Sequence, residues 1–200
     1  MNMIGNNVAT AAKIRQRISE SIAVKQAMLQ NERLMKTVQE VTDVTTMALK
    51  GGKKVLFCGN GGSAADAQHL AAELSGRFYL DREPLFAEAL HVNTSYLTAV
   101  ANDYSYDEIY ARLVRSKGKL GDVLFAISTS GNSTNILRAC EEARRLNMIV
   151  IGMTGASGGK MLRACDFLLN VPSKDTPRIQ ECHILLGHTV CELVEQQIFG

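Results

Sequence analysis

His69 and Glu73 are the first residues in this chain whose types and spacing could do chemistry. Positions four apart on a helix lie about 40° apart around its axis, so this imidazole and carboxylate could share a metal ion or a proton. The same spacing is usually a surface ion pair, and the two residues alone leave both interpretations open. Asp66 could orient the imidazole or face solvent, and Arg77 could assist a sugar or phosphate oxygen or simply end the helix.

A glycine turn, residues 59–63 with the sequence Gly-Asn-Gly-Gly-Ser, lies just before this pair. It follows the apolar run 55–58, which is typical of a buried strand. A turn of this composition lets the backbone approach a ligand closely and directs the free N–H groups of the next helix toward it. The pattern predicts that the glycine turn binds an anion or a molecule rich in hydroxyl groups.

A serine turn, residues 128–133 with the sequence Ser-Thr-Ser-Gly-Asn-Ser, follows a second apolar run at 123–127. Hydroxyl and amide groups at a helix N-terminus can hold a phosphate without a cationic side chain. Any one of these residues could be an ordinary helix N-cap. Four hydroxyls in six residues exceed what capping needs, so the serine turn predicts a phosphate site.

Two nucleotide-binding patterns fit the sequence poorly. Residues 59–64 loosely match a dinucleotide fingerprint, but the next predicted strand ends in His91-Val92-Asn93 and lacks the acidic residue that a ribose requires. The chain contains no Gly-Lys-Ser or Gly-Lys-Thr sequence, which excludes a P-loop.

The elements that must position these turns alternate between short apolar runs and helical stretches. Continuous apolar strands alternating with helices predict an α/β fold, a doubly wound parallel sheet of five strands covered on both faces. In such sheets ligands bind beyond the C-terminal ends of the strands, near a topological switch point. We predict strands at 54–58, 86–92, 122–127, 148–152 and 166–171, and helices that include 63–78 and 176–198.

Residues 1–50 show apolar positions at helical spacing and contain no proline, which predicts two helices joined near Asn31. With 200 residues and 46% hydrophobic content, the chain fits one domain, with this N-terminal helical extension ahead of an α/β core at 51–200. The long amphipathic helices have more apolar positions than one sheet face needs, so we expect them to pack between subunits.

Charge and cysteine content exclude several classes of protein. The net charge is +2 without long runs of like charge, which argues against a nucleic-acid partner. The N-terminus lacks a signal-peptide pattern and no apolar stretch approaches the ~20 residues that span a bilayer, so we expect a cytosolic chain without membrane contact. The five cysteines form no C-x-x-C pair and are predicted to be reduced core residues.

Four motifs in order resemble a known family: G-N-G-G-S-A-x-D-A-x-H-x3-E, then Asn102-Asp103, then S-T-S-G-N-S, then R-I-Q-E-x-H-x4-H. The combination is similar to the sugar isomerase (SIS) domain family and, within it, to the phosphoheptose isomerases, which interconvert sedoheptulose 7-phosphate and a D-glycero-D-manno-heptose 7-phosphate. The resemblance covers the chain from about residue 20 to Gly200. It implies a cytosolic homotetramer with active sites at subunit contacts and a zinc ion in each subunit.

The resemblance also implies a role for each matching residue. Positions 180 and 188 lie about 80° apart on a helix, and Glu181 and His183 are placed as well by periodicity, so the choice of Gln180 rests on the resemblance. Gln180 and His188 could otherwise be satisfied polar groups on a packed helix. The implied catalytic residues are Glu73 and His188, and the implied substrate contacts are Asn60, Gly61, Gly62, Glu73, Gln180 and, from the loop after a helix at 93–101, Asn102 and Asp103. The implied phosphate contacts are Ser128, Thr129, Ser130 and Ser133, and the implied metal ligands are His69, Glu73, Gln180 and His188.

Ketose-to-aldose isomerisation needs a group that moves a carbon-bound proton, and we assign Glu73 to it, with His188 assisting at oxygen. A non-catalytic relative that regulates replication initiation is the main alternative, but such relatives lack the equivalents of both residues. A sugar-phosphate-sensing transcription regulator would need a helix-turn-helix domain, and residues 1–50 have no basic recognition surface. An isomerase of another phosphosugar stays open.

Overall fold

A five-stranded parallel sheet is the central layer of the computed structural model, which describes residues 3–200, with side chains from residue 9 onward. Met1 and Asn2, part of the predicted N-terminal extension, lie outside the described residues. The strands are β1 Val55–Gly59, β2 Ala87–Ala89, β3 Val123–Ile127, β4 Ile149–Thr154 and β5 Phe167–Asn170. Their spatial order is β2-β1-β3-β4-β5, so β2 is added on one side of β1 and the later strands on the other side, and the strand order reverses between β1 and β3.

Helices cover both faces of this sheet, which confirms the predicted doubly wound fold. The helices are α1 Met3–Leu29, α2 Glu32–Lys50, α3 Gly62–Ser75, α4 Thr94–Asp103, α5 Ile109–Lys117, α6 Thr134–Arg145 and α7 Thr176–Phe199, with short 3-10 turns at Tyr106–Glu108 and Gly159–Arg163. One face of the sheet packs against α2, α3 and α7, and the other against α4, α5 and α6. Within the described part of the chain, none of the helices has the length and apolar character needed to cross a membrane.

The apolar strands are buried on both sides, as their unbroken hydrophobic sequences predicted. Phe57 and Phe125 stack on one face with ring centroids 5.0 Å apart, while Leu56 and Leu124 enter the core on the other face. Each such side chain contributes about 1.5–3 kcal/mol through burial. The register that pairs β1 with β3 therefore holds the C-terminal ends of these strands level with each other.

The predicted element boundaries differ from the observed ones mainly where the chain leaves the sheet. The joint near Asn31 is confirmed, because the Asn31 side chain accepts a hydrogen bond from the Leu34 N–H at 3.1 Å and caps α2. The second strand is shorter than predicted, since Asn93 caps α4 soon after it. The helix predicted to reach residue 78 ends at Ser75, where Gly76 follows as its C-cap.

The cysteines are free thiols, and all but the half-buried Cys165 are buried. Burial raises the pKa of Cys191 to about 12 and also raises the pKa of Cys58. Neutral thiols are the form expected among apolar neighbours, which agrees with the predicted core role.

A buried ion pair between Arg82 and Glu195 joins the end of α3 to the end of α7, with Nε and Oε2 2.9 Å apart. The Glu195 carboxylate also accepts hydrogen bonds from the backbone N–H groups of residues 78–80 at 2.8–3.0 Å. Arg82 donates in turn to the carbonyl oxygens of Glu73 and Leu74. Burial by itself would raise the pKa of Glu195, but these donors outweigh it and the pKa lies below its usual range.

Arg82→Met removes the cation and leaves the Glu195 carboxylate buried without its charged partner. We expect this change to lower the free energy of unfolding by about 3–5 kcal/mol in urea titrations at a fixed protein concentration. Lys36→Ala is the control, because the Lys36 ion pair with Glu40, at 3.7 Å, is exposed and should have no measurable effect. Equal losses in the two variants would show that burial does not set the strength of the pair.

Candidate active site

The glycine turn and the serine turn lie side by side at the switch point of the sheet. They follow β1 and β3, the two strands between which the strand order reverses, and Gly59 is in register with Ile127. The helices that begin after these turns, α3 and α6, cover opposite faces of the sheet. The two turns thus flank the crevice where doubly wound folds bind ligands, as the sequence predicted.

Each glycine of the glycine turn has different surroundings. A Cβ at Gly59 would collide with the backbone carbonyl of Ser63, so the turn is too close-packed for any side chain. Gly61 has a φ of 56°, a conformation that L-residues rarely adopt, and it stands at the N-cap of α3. A Cβ at Gly62 would lie 2.5 Å from Nε2 of Gln180, which places the Gln180 amide directly over the turn.

The serine turn presents its hydroxyls at the start of α6. Ser133 is the N-cap residue, yet among the described residues its hydroxyl caps no helix N–H and lies 3.0 Å from the Ser128 hydroxyl. The Ser130 hydroxyl accepts the N–H of Asn132 at 3.2 Å, and a cleft of about 260 Å³ opens beside Thr129 and Ser130. Capping alone therefore does not account for these hydroxyls, and the helix N-terminus behind them favours an anion.

His69, Glu73 and His188 converge where α3 meets α7; we call them the histidine cluster. His69 Nε2 lies 3.0 Å from His188 Nε2 and 2.9 Å from Glu73 Oε1. One potential ligand atom from each of the three residues lies within 4.8 Å of the other two. Burial and the neighbouring His69 lower the pKa of His188, against the opposing effect of Glu73, so its neutral form is favoured. The ring of Phe78 packs 5.6 Å from that of His188 and covers one side.

The donor set of the histidine cluster fits a zinc ion. Two imidazoles and a carboxylate are preferred zinc ligands, and nitrogen atoms 3.0 Å apart can both lie about 2.1 Å from one ion. Facing nitrogen lone pairs at this distance repel each other unless a proton or a cation lies between them. His69 is half exposed, so the cluster opens to the surface of the subunit along α3.

Gln180 and its neighbours on α7, which periodicity could not separate, have different surroundings in the structure. His183 is fully buried, its Nε2 lies 3.2 Å from the Thr154 carbonyl, and burial lowers its pKa to about 4. Glu181 accepts hydrogen bonds from Ser21 and Arg178 and ties α7 to α1. Gln180 is the one of the three whose side chain reaches the glycine turn.

The remaining predicted residues are placed less centrally. Asn102 and Asp103 are the last two residues of α4 and not part of the loop after it, because the helix continues until the Tyr104 N–H bonds to the Val100 carbonyl. Both are exposed, and their side chains bond to each other at 3.0 Å. Asp66 is half-buried, burial raises its pKa, and its Oδ2 has no hydrogen-bond partner among the described residues.

Two residues that contact Asn60 were not identified as candidates from the sequence. Asn135 forms two hydrogen bonds with the Asn60 amide, each 2.9 Å long, and the Tyr106 hydroxyl donates to Asn60 Oδ1 at 3.2 Å. A buried asparagine in the first turn of a helix whose N-cap is already a serine was the available signal for Asn135. Tyr106 carried no such signal, since only the fold brings it to residue 60.

Comparisons with known proteins agree with this geometry. Residues 19–155 match the SIS domain family, and the phosphoheptose isomerase of Burkholderia pseudomallei is 54% identical over 183 residues, which cover 92% of this chain and 93% of the relative. The chain belongs to the SIS domain family. The phosphoheptose isomerase of Aneurinibacillus thermoaerophilus is 49% identical over 93% of this SIS domain protein and 94% of its own length.

A solved structure of a relative has the same fold. The phosphoheptose isomerase of Neisseria gonorrhoeae superposes with a TM-score of 0.88 at 42% identity and covers 94% of this SIS domain protein and 99% of the relative. The five-stranded sheet and its flanking helices are therefore shared along almost the whole chain.

Gly59→Ala and Gly62→Ala should separate folding from site geometry. Gly59→Ala forces Cβ into backbone and should lower the free energy of unfolding by about 1–3 kcal/mol. Gly62→Ala meets only the end of the Gln180 side chain, so stability should change by less than about 1 kcal/mol while that amide moves off the turn. Urea titration and a crystal structure of the second variant measure both effects; equal losses of stability would contradict the assignment.

Proposed function

We propose that this chain is a phosphoheptose isomerase that interconverts sedoheptulose 7-phosphate and D-glycero-D-manno-heptose 7-phosphate in the cytoplasm, the first step toward ADP- or GDP-activated heptose. The observation that carries the proposal is the convergence of His69, Glu73 and His188 beside the switch-point crevice of a chain about half identical to phosphoheptose isomerases. A non-catalytic relative would need neither Glu73 nor His188 in this arrangement.

The reaction moves a proton between neighbouring carbons through an enediol. Glu73 takes the proton from C1 of the ketose and returns it to C2, while His188 moves the hydroxyl proton from O1 to O2. The pKa of His188 is lowered, which favours the neutral imidazole, and its Nε2 lone pair would accept the hydroxyl proton while it is not bound to the metal. Glu73 is partly buried and lies within hydrogen-bond distance of His69, which restrains its carboxylate; from this position it would reach the carbon-bound proton of the substrate.

The residues that would hold one zinc ion per subunit are His69, Glu73, Gln180 and His188. When bound, such an ion would supply positive charge to stabilise the negative charge that develops on the sugar oxygens. A carboxylate held by a metal is a weaker base, so Glu73 would have to be loosely coordinated or released when the substrate binds. Gln180, which lies over Gly62, would then bind a sugar oxygen as well.

The phosphate and the rest of the sugar would bind at the two turns. The hydroxyls of Ser128, Thr129, Ser130 and Ser133 and the N-terminus of α6 would hold the phosphate. No cationic side chain is required there, because backbone N–H groups and the helix dipole supply the positive potential. The glycine turn, through Asn60, Gly61 and Gly62, would bind sugar oxygens, and Asn102 and Asp103 would approach from the end of α4.

The proposed assembly is a homotetramer with active sites at subunit contacts. Ile14, Ile18 and Ile22 form an exposed apolar stripe on α1, each at least half exposed. An apolar groove between α1, α2 and α7 continues this surface, and the histidine cluster opens outward along α3. Surfaces of this kind are typical of subunit interfaces, and a neighbouring subunit would close the open side of the site.

Glu73→Gln tests the proton transfer. In the folded variant we expect turnover of sedoheptulose 7-phosphate to fall by about 10²–10⁴-fold, because the amide cannot accept the carbon-bound proton. Glu141→Gln, on the exposed surface of α6, is the matched control and should retain wild-type turnover. Near-normal turnover in Glu73→Gln would exclude Glu73 as the base, and preference for a shorter ketose phosphate in the wild type would replace the proposed substrate.

Zinc binding has a test that does not depend on activity. Metal analysis after equilibrium dialysis against zinc should give one ion per wild-type subunit and a strongly reduced content in His69→Ala and His188→Ala. His91→Ala, a partly buried histidine outside the cluster, is the matched control and should keep its zinc. If the His91 variant loses as much zinc as the other two, the histidine cluster is not the site.

A further inference from the structure

A pair of asparagine amides links the glycine turn to the first turn of α6, just after the serine turn. Asn60 Nδ2 donates to Asn135 Oδ1, and Asn135 Nδ2 donates to Asn60 Oδ1, both at 2.9 Å. Asn135 is 2% exposed in the first turn of α6, while Asn60 is half-buried in the glycine turn. A planar amide held by two such bonds can exchange its oxygen and nitrogen only if both asparagines turn over together, since turning one alone would set like atoms against each other. A third bond, from the Tyr106 hydroxyl to Asn60 Oδ1, favours the observed orientation of the pair.

Among the residues that the structure describes, the hydrogen bonds of the Asn60 side chain leave one of its N–H groups free to donate. Its Oδ1 accepts from Asn135 and from the Tyr106 hydroxyl, which uses both oxygen lone pairs. One of its two N–H groups is bound to Asn135 Oδ1. Within the described residues, the second N–H is the group that the Asn60 side chain can still offer, so this side chain can contact a substrate only as a donor to an oxygen.

The Asn60–Asn135 pair also fixes the distance between the two sides of the crevice. Asn60 follows β1 and Asn135 follows β3, two residues after the N-cap Ser133, so the bonds join the sugar side of the proposed site to the phosphate side. The Tyr110 hydroxyl donates a hydrogen bond to the Gly59 carbonyl, which fixes the start of the glycine turn. The amide of Asn60 therefore has a fixed position relative to the serine turn.

We propose that Asn135 is a positioning residue, which locks the Asn60 amide as a single N–H donor to a sugar oxygen of the phosphosugar and holds the glycine turn at a fixed distance from the phosphate. This inference rests on the proposed function. A donor held rigidly in place stabilises the negative charge that develops on an oxygen as the enediol forms, without having to reorient at that moment. A freely rotating Asn60 would lose that advantage although its chemical groups were unchanged.

A double-mutant cycle tests the proposal. Asn135→Ala should lower kcat/KM for sedoheptulose 7-phosphate by roughly tenfold or more, mainly through kcat, because Asn60 is no longer oriented. In the Asn60→Ala background the same substitution should cost less than about twofold, since no amide remains to be positioned. Asn31→Ala is the matched control: it removes the cap of α2 and lowers the melting temperature, but should leave kcat/KM unchanged.

Tyr106→Phe is an independent variant in case Asn135→Ala does not fold. Tyr106 is exposed, and the change removes only its bond to Asn60 Oδ1, so we expect kcat/KM to fall by roughly threefold at unchanged stability. An Asn135→Ala effect that is equally large with and without Asn60 would overturn the positioning role while the proposed function stands. Unchanged activity in Tyr106→Phe would overturn the locked amide, and a wild type inactive on sedoheptulose 7-phosphate would overturn the proposed function itself.

Discussion

The reversal of strand order between β1 and β3 is the constraint on which the rest of the structure depends. Connections from these two neighbouring strands leave toward opposite faces of the sheet, so the turns that follow them cannot be covered by either helix layer. The crevice is thus created by topology before any side chain is considered. The polar residues then occupy the place where backbone N–H groups at two helix N-termini, α3 and α6, are already exposed.

Helix α7 contributes side chains that the two turns at the switch point lack. The turns present N–H and hydroxyl groups, but neither contributes an ionisable side chain that could carry a proton. The last helix of the chain crosses α3 and brings Gln180 over the glycine turn and His188 to His69. The buried Arg82–Glu195 pair ties the far ends of the same two helices together, so the histidine cluster lies between two fixed points.

Burial separates residues of the same type into different roles. His183 and His188 both lie on α7, but His183 is enclosed beside the Thr154 carbonyl and belongs to the core. His188 keeps partial contact with solvent and faces two further ligand atoms. Glu195 and Glu73 differ in the same way: the first is saturated by buried donors, while the second stays accessible for chemistry.

Local patterns in the sequence determined the strands, the two turns and the His69–Glu73 spacing, because each depends on residues within a few positions of one another. Periodicity could also place Gln180, Glu181, His183 and His188 on one helix. Only the tertiary structure decided which of them meets α3, because an angle around a helix axis does not say which face a neighbour covers. The same holds for Asn60 and Asn135, whose amides are joined across 75 positions of sequence. Such pairings depend on how the sheet orders its strands, which no local pattern encodes.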